Sequence, residues 1–220
     1  MLFNMFPRTS RYKHFAYLLN DENHTASIKK GHIGRCKRYR VPDSIEINGT
    51  DYDITSIDIG AYNCPRTLKH LVIPDSIEYI DEDVLIWLPN LRSVYIGKGV
   101  KVLKMWHFRG SRKLQTYEID RGNPYIRKVN NLLISTDGKM LMTGLFDRKH
   151  YEIPGGVETI NHAAFMGNER LESISIPPSL RVIGDSSFAF TPNLKIIEFP
   201  SGLEKVVCQG FMSSGVEYLD

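Results

Sequence analysis

The stretch Ile176-Pro-Pro-Ser-Leu-Arg-Val-Ile-Gly-Asp-Ser-Ser-Phe188 decides the fold, because its apolar positions recur through the chain at a fixed interval. Pro154, Pro177 and Pro200 lie 23 residues apart, and so do Phe165, Phe188 and Phe211. Between each Pro and Phe come Val157/Ile160, Leu180/Ile183 and Leu203/Val206 at identical offsets. Upstream, Leu68, Leu91 and Leu114 keep the same 23-residue step, and Ile77/Ile80/Leu85 and Val100/Leu103/Phe108 fill the slots that follow. Ile54/Ile57/Tyr62 fit one step further back. A period of this length is one backbone turn of a solenoid.

Local chemistry then places the elements. Residues 171–176, Leu-Glu-Ser-Ile-Ser-Ile, alternate apolar and polar and are rich in β formers, so they read as a short strand that Pro177 ends. The equivalents are 36–41, 68–73, 91–96, 114–119, 148–153 and 194–199, with another opening at 216–220. The return leg, residues 179–190, has room for a short extended piece and one helical turn. Stacked coils put equivalent strands roughly 4.8 Å apart in a parallel sheet. Leu171, Ile174, Ile176, Leu180, Ile183 and Phe188 are expected to face inward, each worth about 1.5–3 kcal/mol by burial. One coil cannot cover that face alone, so neighbouring coils must stack.

Two stretches break the period. Between Ile119 and Ile153 lie 33 residues instead of 22, with apolar runs 131–135 and 140–143 around Asp137-Gly138, the pattern of a β-hairpin. The expectation is a hairpin on the solenoid's side. In residues 1–35, Phe15/Tyr17/Leu19 and Ala26/Ile28 flank a polar turn at 20–25, again a hairpin, where a terminal coil needs a cap over its apolar end. The expected organisation is therefore one domain: a tail and β-hairpin cap over 1–35, and a solenoid over 36–220 with its insertion at about 120–150. Its class reads as α/β-type but β-rich, with a parallel sheet on one face and short return strands or helical turns.

Composition narrows the partners. The chain has 220 residues, 42% hydrophobic and 24% charged, which suits a globular domain rather than a disordered one. No run of about 18 uncharged apolar residues is present, so no membrane-spanning helix is expected. Arg8, Arg11 and Lys13 precede any long apolar stretch, so the amino terminus does not read as a secretory signal. Three cysteines, Cys36, Cys64 and Cys208, are odd in number and far apart, which fits neither a disulfide scaffold nor a zinc knuckle. The net charge of +3 divides unevenly: residues 1–40 hold nine Lys/Arg and two Asp/Glu, the remainder nineteen and twenty-three.

The order Ile-Pro, Ser-Ile/Leu, Ile-Gly-Asp and Ser-Phe at this period resembles the BspA-like leucine-rich repeats, over about residues 12–220. Val41-Pro-Asp-Ser-Ile45 with Asn48 to Ile57 looks like that family's first coil, and Asn123-Pro-Tyr through Ser135-Thr-Asp-Gly-Lys139 is similar to a hairpin insertion common in it. The resemblance implies a mostly bacterial, often surface-exposed or secreted, non-enzymatic adhesion or protein-binding module. The family's Cys three residues after the Phe is replaced by Asn168, Thr191 and Ser214, and Cys64 sits one residue early. Such a small slot tolerates Ser and Thr.

No catalytic pattern appears: there is no Gly-x-Ser-x-Gly, no phosphate-binding loop and no His-Glu-x-x-His. No cofactor is implied. The nearest approach to a metal site is His150 and Glu152 on one strand face with Glu118 on the preceding coil, although such residues on exposed strands are usually only solvated. If strand positions 1, 4 and 6 face the core, positions 3 and 5 face solvent. Position 3 then reads Arg38, His70, Ser93, Thr116, His150, Ser173, Ile196 and Tyr218, and position 5 reads Arg40, Val72, Tyr95, Glu118, Glu152, Ser175, Glu198 and Asp220. This ladder, basic at one end and acidic at the other, is the candidate face for a protein or peptide partner, against the plainer role of a solubilising surface. Two basic stretches, 29–40 with six Lys/Arg and 92–113 with seven and no acid, give the alternative: an anionic polymer, with Tyr39 and Trp106 to stack. Edge protection is the competing role for those cations. Finally, 216–220 opens a coil with no cap after it, so that end is expected either to pack against a second molecule, as in a homodimer, or to be covered by the last residues.

Overall fold

The computed structural model describes residues 8–12, 15–31, 33–58, 66–81, 84–85, 88–103, 105–108, 110–145 and 147–216. The first half contains β1 (Arg8–Tyr12), β2 (Phe15–Asn20), β3 (Thr25–Gly31), β4 (Arg38–Arg40), β5 (Ser44–Ile47), β6 (Thr50–Ile57), β7 (His70–Ile73), β8 (Tyr79–Ile80), β9 (Ser93–Ile96) and β10 (Thr116–Ile119). The insertion is β11 (Ile126–Val129), β12 (Leu132–Ser135) and β13 (Met140–Gly144). The second half alternates β14 (His150–Glu152), β15 (Thr159–Ile160), β16 (Ser173–Ser175), β17 (Val182–Ile183), β18 (Ile196–Ile197) and β19 (Lys205–Val206).

The chain winds as a β-rich solenoid. Its front strands pair in parallel at the repeat interval, His70 against Ser93, Ser93 against Thr116, His150 against Ser173 and Ser173 against Ile196. The back strands do the same, with Ile160 opposite Ile183 and Ile183 opposite Val206. Rung-to-rung bonds continue beyond the strands: the Arg181 N–H donates to Glu158 O and the Glu204 N–H to Arg181 O. Inside, Phe165 stacks on Phe188 (centroids 5.4 Å, planes 5° apart) and Phe188 on Phe211 (5.1 Å, 10°). At the carboxyl-terminal side of each Phe, Asn168 and Thr191 are buried in the slot discussed above. Thr191 Oγ1 donates to Phe188 O at 2.6 Å.

Three features differ from the sequence expectation. The helical share is nearly absent, so the α/β description gives way to an all-β one; among the described residues the helical elements reduce to the single 3-10 turn Met105–Phe108. In the second half the cause lies in the return leg, where two positions per coil are left-handed: Ala163, Ser186 and Gln209 (φ 53°, 54°, 60°), then Gly167, Phe190 and Ser213 (φ 73°, 56°, 55°). A right-handed helix cannot run through such residues. Their amides bond to the next coil instead, Gly167 N–H to Ala189 O and Phe190 N–H to Met212 O, both at 2.8 Å. Because only Gly occupies this conformation freely, Ser213→Gly is expected to raise stability by about 0.5–1 kcal/mol, read as an increase in the denaturation midpoint.

Second, the insertion is not on the side. β12 pairs antiparallel with β11 and β13, and β13 pairs parallel with β15, so the meander is the first part of the second half's back sheet, ordered β11-β12-β13-β15-β17-β19. Leu132, Leu133 and Ile134 are all fully buried, because β12 has core on both faces. Leu133 and Met142 belong to the apolar cluster of the first half, Leu132, Ile134 and Leu141 to that of the second. Third, the front is not one sheet. It divides into β4-β7-β9-β10 and β14-β16-β18, with β10 unpaired to β14. Lys128 of β11 reaches over β10 and donates to Tyr117 O at 3.1 Å and Thr116 Oγ1 at 3.3 Å, taking an edge carbonyl that a neighbouring strand would otherwise use.

At the amino-terminal end β1, β2 and β3 form an antiparallel meander, and β3 runs parallel to β6. β5 and β6 form a second hairpin, turned at Asn48-Gly49, both at positive φ.

Candidate functional site

The outward positions of the front strands form two rows in register. In the first sheet Arg38, His70, Ser93 and Thr116 make one row, and Arg40, Val72, Tyr95 and Glu118 the other. In the second sheet His150, Ser173 and Ile196 align, and Glu152 lies beside Ser175. Arg38, Arg40, Glu118, His150, Glu152 and Glu198 are exposed, whereas His70 and Tyr95 are half-buried. Tyr218 and Asp220 lie outside the described residues, as do Tyr62 and Cys64. The ladder expected as one continuous face is therefore a basic-to-polar sheet and a separate His/Glu sheet, divided at β10.

Neighbouring coils satisfy many of these side chains. His70 Nδ1 and Ser93 Oγ are 2.8 Å apart, and His150 Nδ1 and Ser173 Oγ 2.6 Å, the same contact repeated in both sheets. Arg40 pairs with Asp43 at 3.0 Å. The Tyr95 hydroxyl donates to Asp120 Oδ2 at 2.6 Å. That bond, with burial as a smaller cause, pushes the phenol up to about 12. In turn the Tyr95 hydroxyl, with the Gly122 N–H, holds the Asp120 carboxyl below the usual carboxylate range. Asp120→Asn is expected to bring the Tyr95 phenol back toward ordinary tyrosine values, followed by ultraviolet absorbance against pH with Tyr95→Phe as the assignment control.

Several cations of the basic stretches are paired with carboxylates of other coils. Lys98 meets Asp75, Lys101 meets Glu78 and Arg112 meets Glu169, at 3.7, 2.7 and 2.8 Å. Lys29 pairs with Asp58. The side chain of Trp106 lies outside what the structure describes, and Tyr39 stacks on Phe15 within the molecule at 6.4 Å. The proposed metal grouping fails on geometry: Glu118 is on β10, which pairs with β9, while His150 and Glu152 are on β14, which pairs with β16. Among the described residues no group of three His, Cys, Asp or Glu could hold a metal ion. Among the same residues no helix is long and apolar enough to cross a membrane.

Sequence reasoning missed a concave part of the surface. It lies at the division between the sheets, at the amino-terminal ends of β10, β14 and β16, where Arg92, Arg112, Lys113, Asp147 and Arg170 surround a cleft of about 310 Å³. Asp147 is the structural hub there. Its carboxylate accepts from the Tyr151 hydroxyl at 2.6 Å and from Asn131 Nδ2 at 2.8 Å, joining the insertion to the second front sheet. The Tyr151 hydroxyl also lies against Leu145 O, which shares its one proton with Asp147, and burial pushes its phenol far above the usual tyrosine range. The one signal of this cleft in the sequence is the lengthened interval between Ile119 and Ile153.

A solenoid of 23-residue coils with inward Leu/Ile/Phe slots and exposed parallel strands is a leucine-rich-repeat protein. The chain belongs to the BspA-type leucine-rich repeat family, whose profile matches residues 36–130 and 138–217 in six copies. No curated protein matched it. Two solved structures share the fold. A leucine-rich repeat protein from Bacteroides ovatus superposes with TM-score 0.60 at 19% identity, over 94% of this chain and 57% of that one. The pneumococcal vaccine antigen PcpA gives 0.54 at 15% identity, over 90% and 71%.

Proposed function

We propose that the protein is a non-enzymatic binding or adhesion module that recognises a protein or peptide segment through the outward rows of its front strands. The observation that carries this reading is the register: residues of successive front strands stand side by side, so that Arg38/His70 and Val72/Tyr95/Glu118 form rows in the first sheet and His150/Ser173 in the second. Repeat scaffolds use such extended rows for recognition. Membership of the BspA-type leucine-rich repeat family supports the non-enzymatic part. The division of labour between a β-hairpin cap over 1–35 and a solenoid over 36–220, in one structural domain, belongs to the same reading. So does display on the bacterial surface, which the pneumococcal relative's use as a vaccine antigen supports.

The anionic-polymer reading is the weaker of the two, because the cations at Lys98, Lys101 and Arg112 already face carboxylates.

The test is capture from a host or bacterial lysate by the intact chain, followed by affinity measurement with the partner so identified. Replacing Tyr95, Glu118 and Glu152 together by Ala is expected to weaken that binding at least tenfold, with only shallow salt dependence. Unchanged affinity removes the strand-face reading, and a steep loss with salt restores the polymer one.

A further inference from the structure

The back of the solenoid is longer than its front at the insertion. In the second half each later coil adds one strand to the back sheet, but the insertion adds three in a row, β11, β12 and β13, before β15. Two extra strands lengthen the back by roughly 9.6 Å, at about 4.8 Å each. The front opens to match. Most Cα pairs between β10 and β14 are more than 8 Å apart, whereas those between hydrogen-bonded front strands mostly lie within that distance. The opening is therefore wide enough to admit one extended chain between the two front sheets.

Both edges of this opening present backbone groups with no strand to pair with. On β10 the N–H groups of Thr116 and Asp120 donate to Arg92 O and Ile96 O, on the β9 side. Along a parallel strand the sides alternate, so the N–H and C=O of Tyr117 and Ile119 point into the opening. On β14, Lys149 O accepts from Ser173 N–H and Ile153 N–H donates to Ser175 O, on the β16 side. The N–H and C=O of His150 and Glu152 therefore face the opening from its far edge. Among the described residues no backbone group bonds to any of these. Tyr117 O is met by side chains instead, the Lys128 ammonium at 3.1 Å and the Thr116 hydroxyl at 3.3 Å. The outward side chains also match across the gap. Glu118 and Glu152 hold the same position on their strands, both are exposed, and neither has a cation within ion-pair distance among the described residues.

We infer that the opening takes an extended peptide as an added front strand, parallel to β10 and β14, with a Lys or Arg of that peptide standing outward between Glu118 and Glu152. In this register the N–H of the basic residue donates to Tyr117 O, displacing Lys128, and the N–H of the residue before it donates to His150 O. Free main-chain donors and acceptors on both sides select a polypeptide, because strand addition needs a partner whose own donors and acceptors alternate at the same spacing. The two carboxylates select its charge, since a cation set between them on neighbouring strands gains a favourable cross-strand pair on each side. Leu114 lines the cleft at the amino-terminal end of β10, so peptide residues that turn inward are apolar. This mode rests on the reading of the chain as a peptide-binding module, but it acts through main-chain bonds at strand edges rather than through the outward rows that include Tyr95.

The probe is a fluorescein-labelled, end-blocked octapeptide, Gly-Leu-Ser-Thr-Ile-Lys-Ile-Gly, followed by anisotropy against the intact chain. It is expected to bind with a dissociation constant below about 1 mM. N-methylation of its Lys and of the Ile before it removes two main-chain donors, and should weaken binding to the unaltered protein at least tenfold. Replacing the peptide's Lys by Glu should weaken it severalfold, and Glu118→Gln with Glu152→Gln should erase that preference. Lys128→Met frees Tyr117 O and should tighten binding severalfold, whereas Tyr95→Ala should leave it unchanged. Absence of binding, equal affinity for the N-methylated peptide, or a Lys128→Met variant that fails to bind more tightly overturns the inference. Tolerance of N-methylation together with loss of binding in Tyr95→Ala also overturns it, and assigns the peptide to the outward rows.

Discussion

Phe188→Ala is expected to lower the stability of the protein by about 3–5 kcal/mol, the range for removing a fully enclosed aromatic ring. Phe188 lies between two like rings, Phe165 at 5.4 Å and Phe211 at 5.1 Å, all nearly parallel. Its removal deprives both neighbours of a packing face, so the loss includes ring–ring attraction as well as a cavity. The adjacent structure cannot easily close the hole. Gly144 sits so near Phe165 that a Cβ there would lie 2.4 Å from the ring, and the backbone beside Phe188 is pinned by its N–H bond to Gly210 O. Phe188→Leu retains most of the volume and should cost far less, roughly 1 kcal/mol. Equilibrium denaturation of both variants checks this; a Phe188→Ala curve that overlays the wild type contradicts the stacked-coil core.

The second large effect is expected at Asn123, a residue that the sequence marks only as part of Asn123-Pro124-Tyr125. Its buried carboxamide makes four bonds to backbone. Nδ2 donates to Gly97 O at 2.8 Å and to Val100 O at 3.1 Å, while Oδ1 accepts from Tyr125 N–H and Ile126 N–H, both at 2.8 Å. One side chain therefore ties the turn of the β9 coil to the start of the insertion. Asn123→Ala leaves these backbone groups without their partner in a buried place, and a loss of about 2–4 kcal/mol follows. Asn123→Asp offers no rescue, since it sets a carboxylate oxygen against two carbonyls. By contrast Asn193→Ala, which removes one exposed bond to Glu169 O, should cost less than about 1 kcal/mol. Hydrogen exchange at Tyr125 and Ile126 gives a local reading, with protection lost in Asn123→Ala ahead of global unfolding.

The repeat made the coils legible because it concerns the core. Inward slots must be filled by apolar residues in every coil, so Leu171/Ile174, Leu180/Ile183 and Phe188 advertise their burial and their partners 23 positions away. The same arithmetic yields the outward rows, as the pairing of Val72 with Tyr95 and of Tyr95 with Glu118 shows. What the repeat does not encode is any contact outside its own period. The hairpin around Asp137-Gly138 is visible as a hairpin, but which sheet it joins depends on β12 having two apolar faces, Leu133 toward one core and Leu132/Ile134 toward the other. A run of three apolar residues reads equally well as one-sided or two-sided. The return legs misled for a different reason. Ala163, Ser186 and Phe190 carry no sequence mark of a left-handed backbone, and only Gly167 does so. The cleft between Arg92, Lys113 and Arg170 was illegible because it lies where, among the described residues, no backbone hydrogen bond joins the turns at 112–115 and 147–149, which no residue type announces.

The central claim, that residues 23 apart touch through the core, is tested most directly by nuclear Overhauser effects among the Phe165, Phe188 and Phe211 rings, isotope-labelled at phenylalanine. The account predicts cross-peaks from Phe165 to Phe188 and from Phe188 to Phe211, and none of direct origin from Phe165 to Phe211, because the middle ring separates them. Missing cross-peaks between the adjacent pairs, with the protein folded, would contradict it.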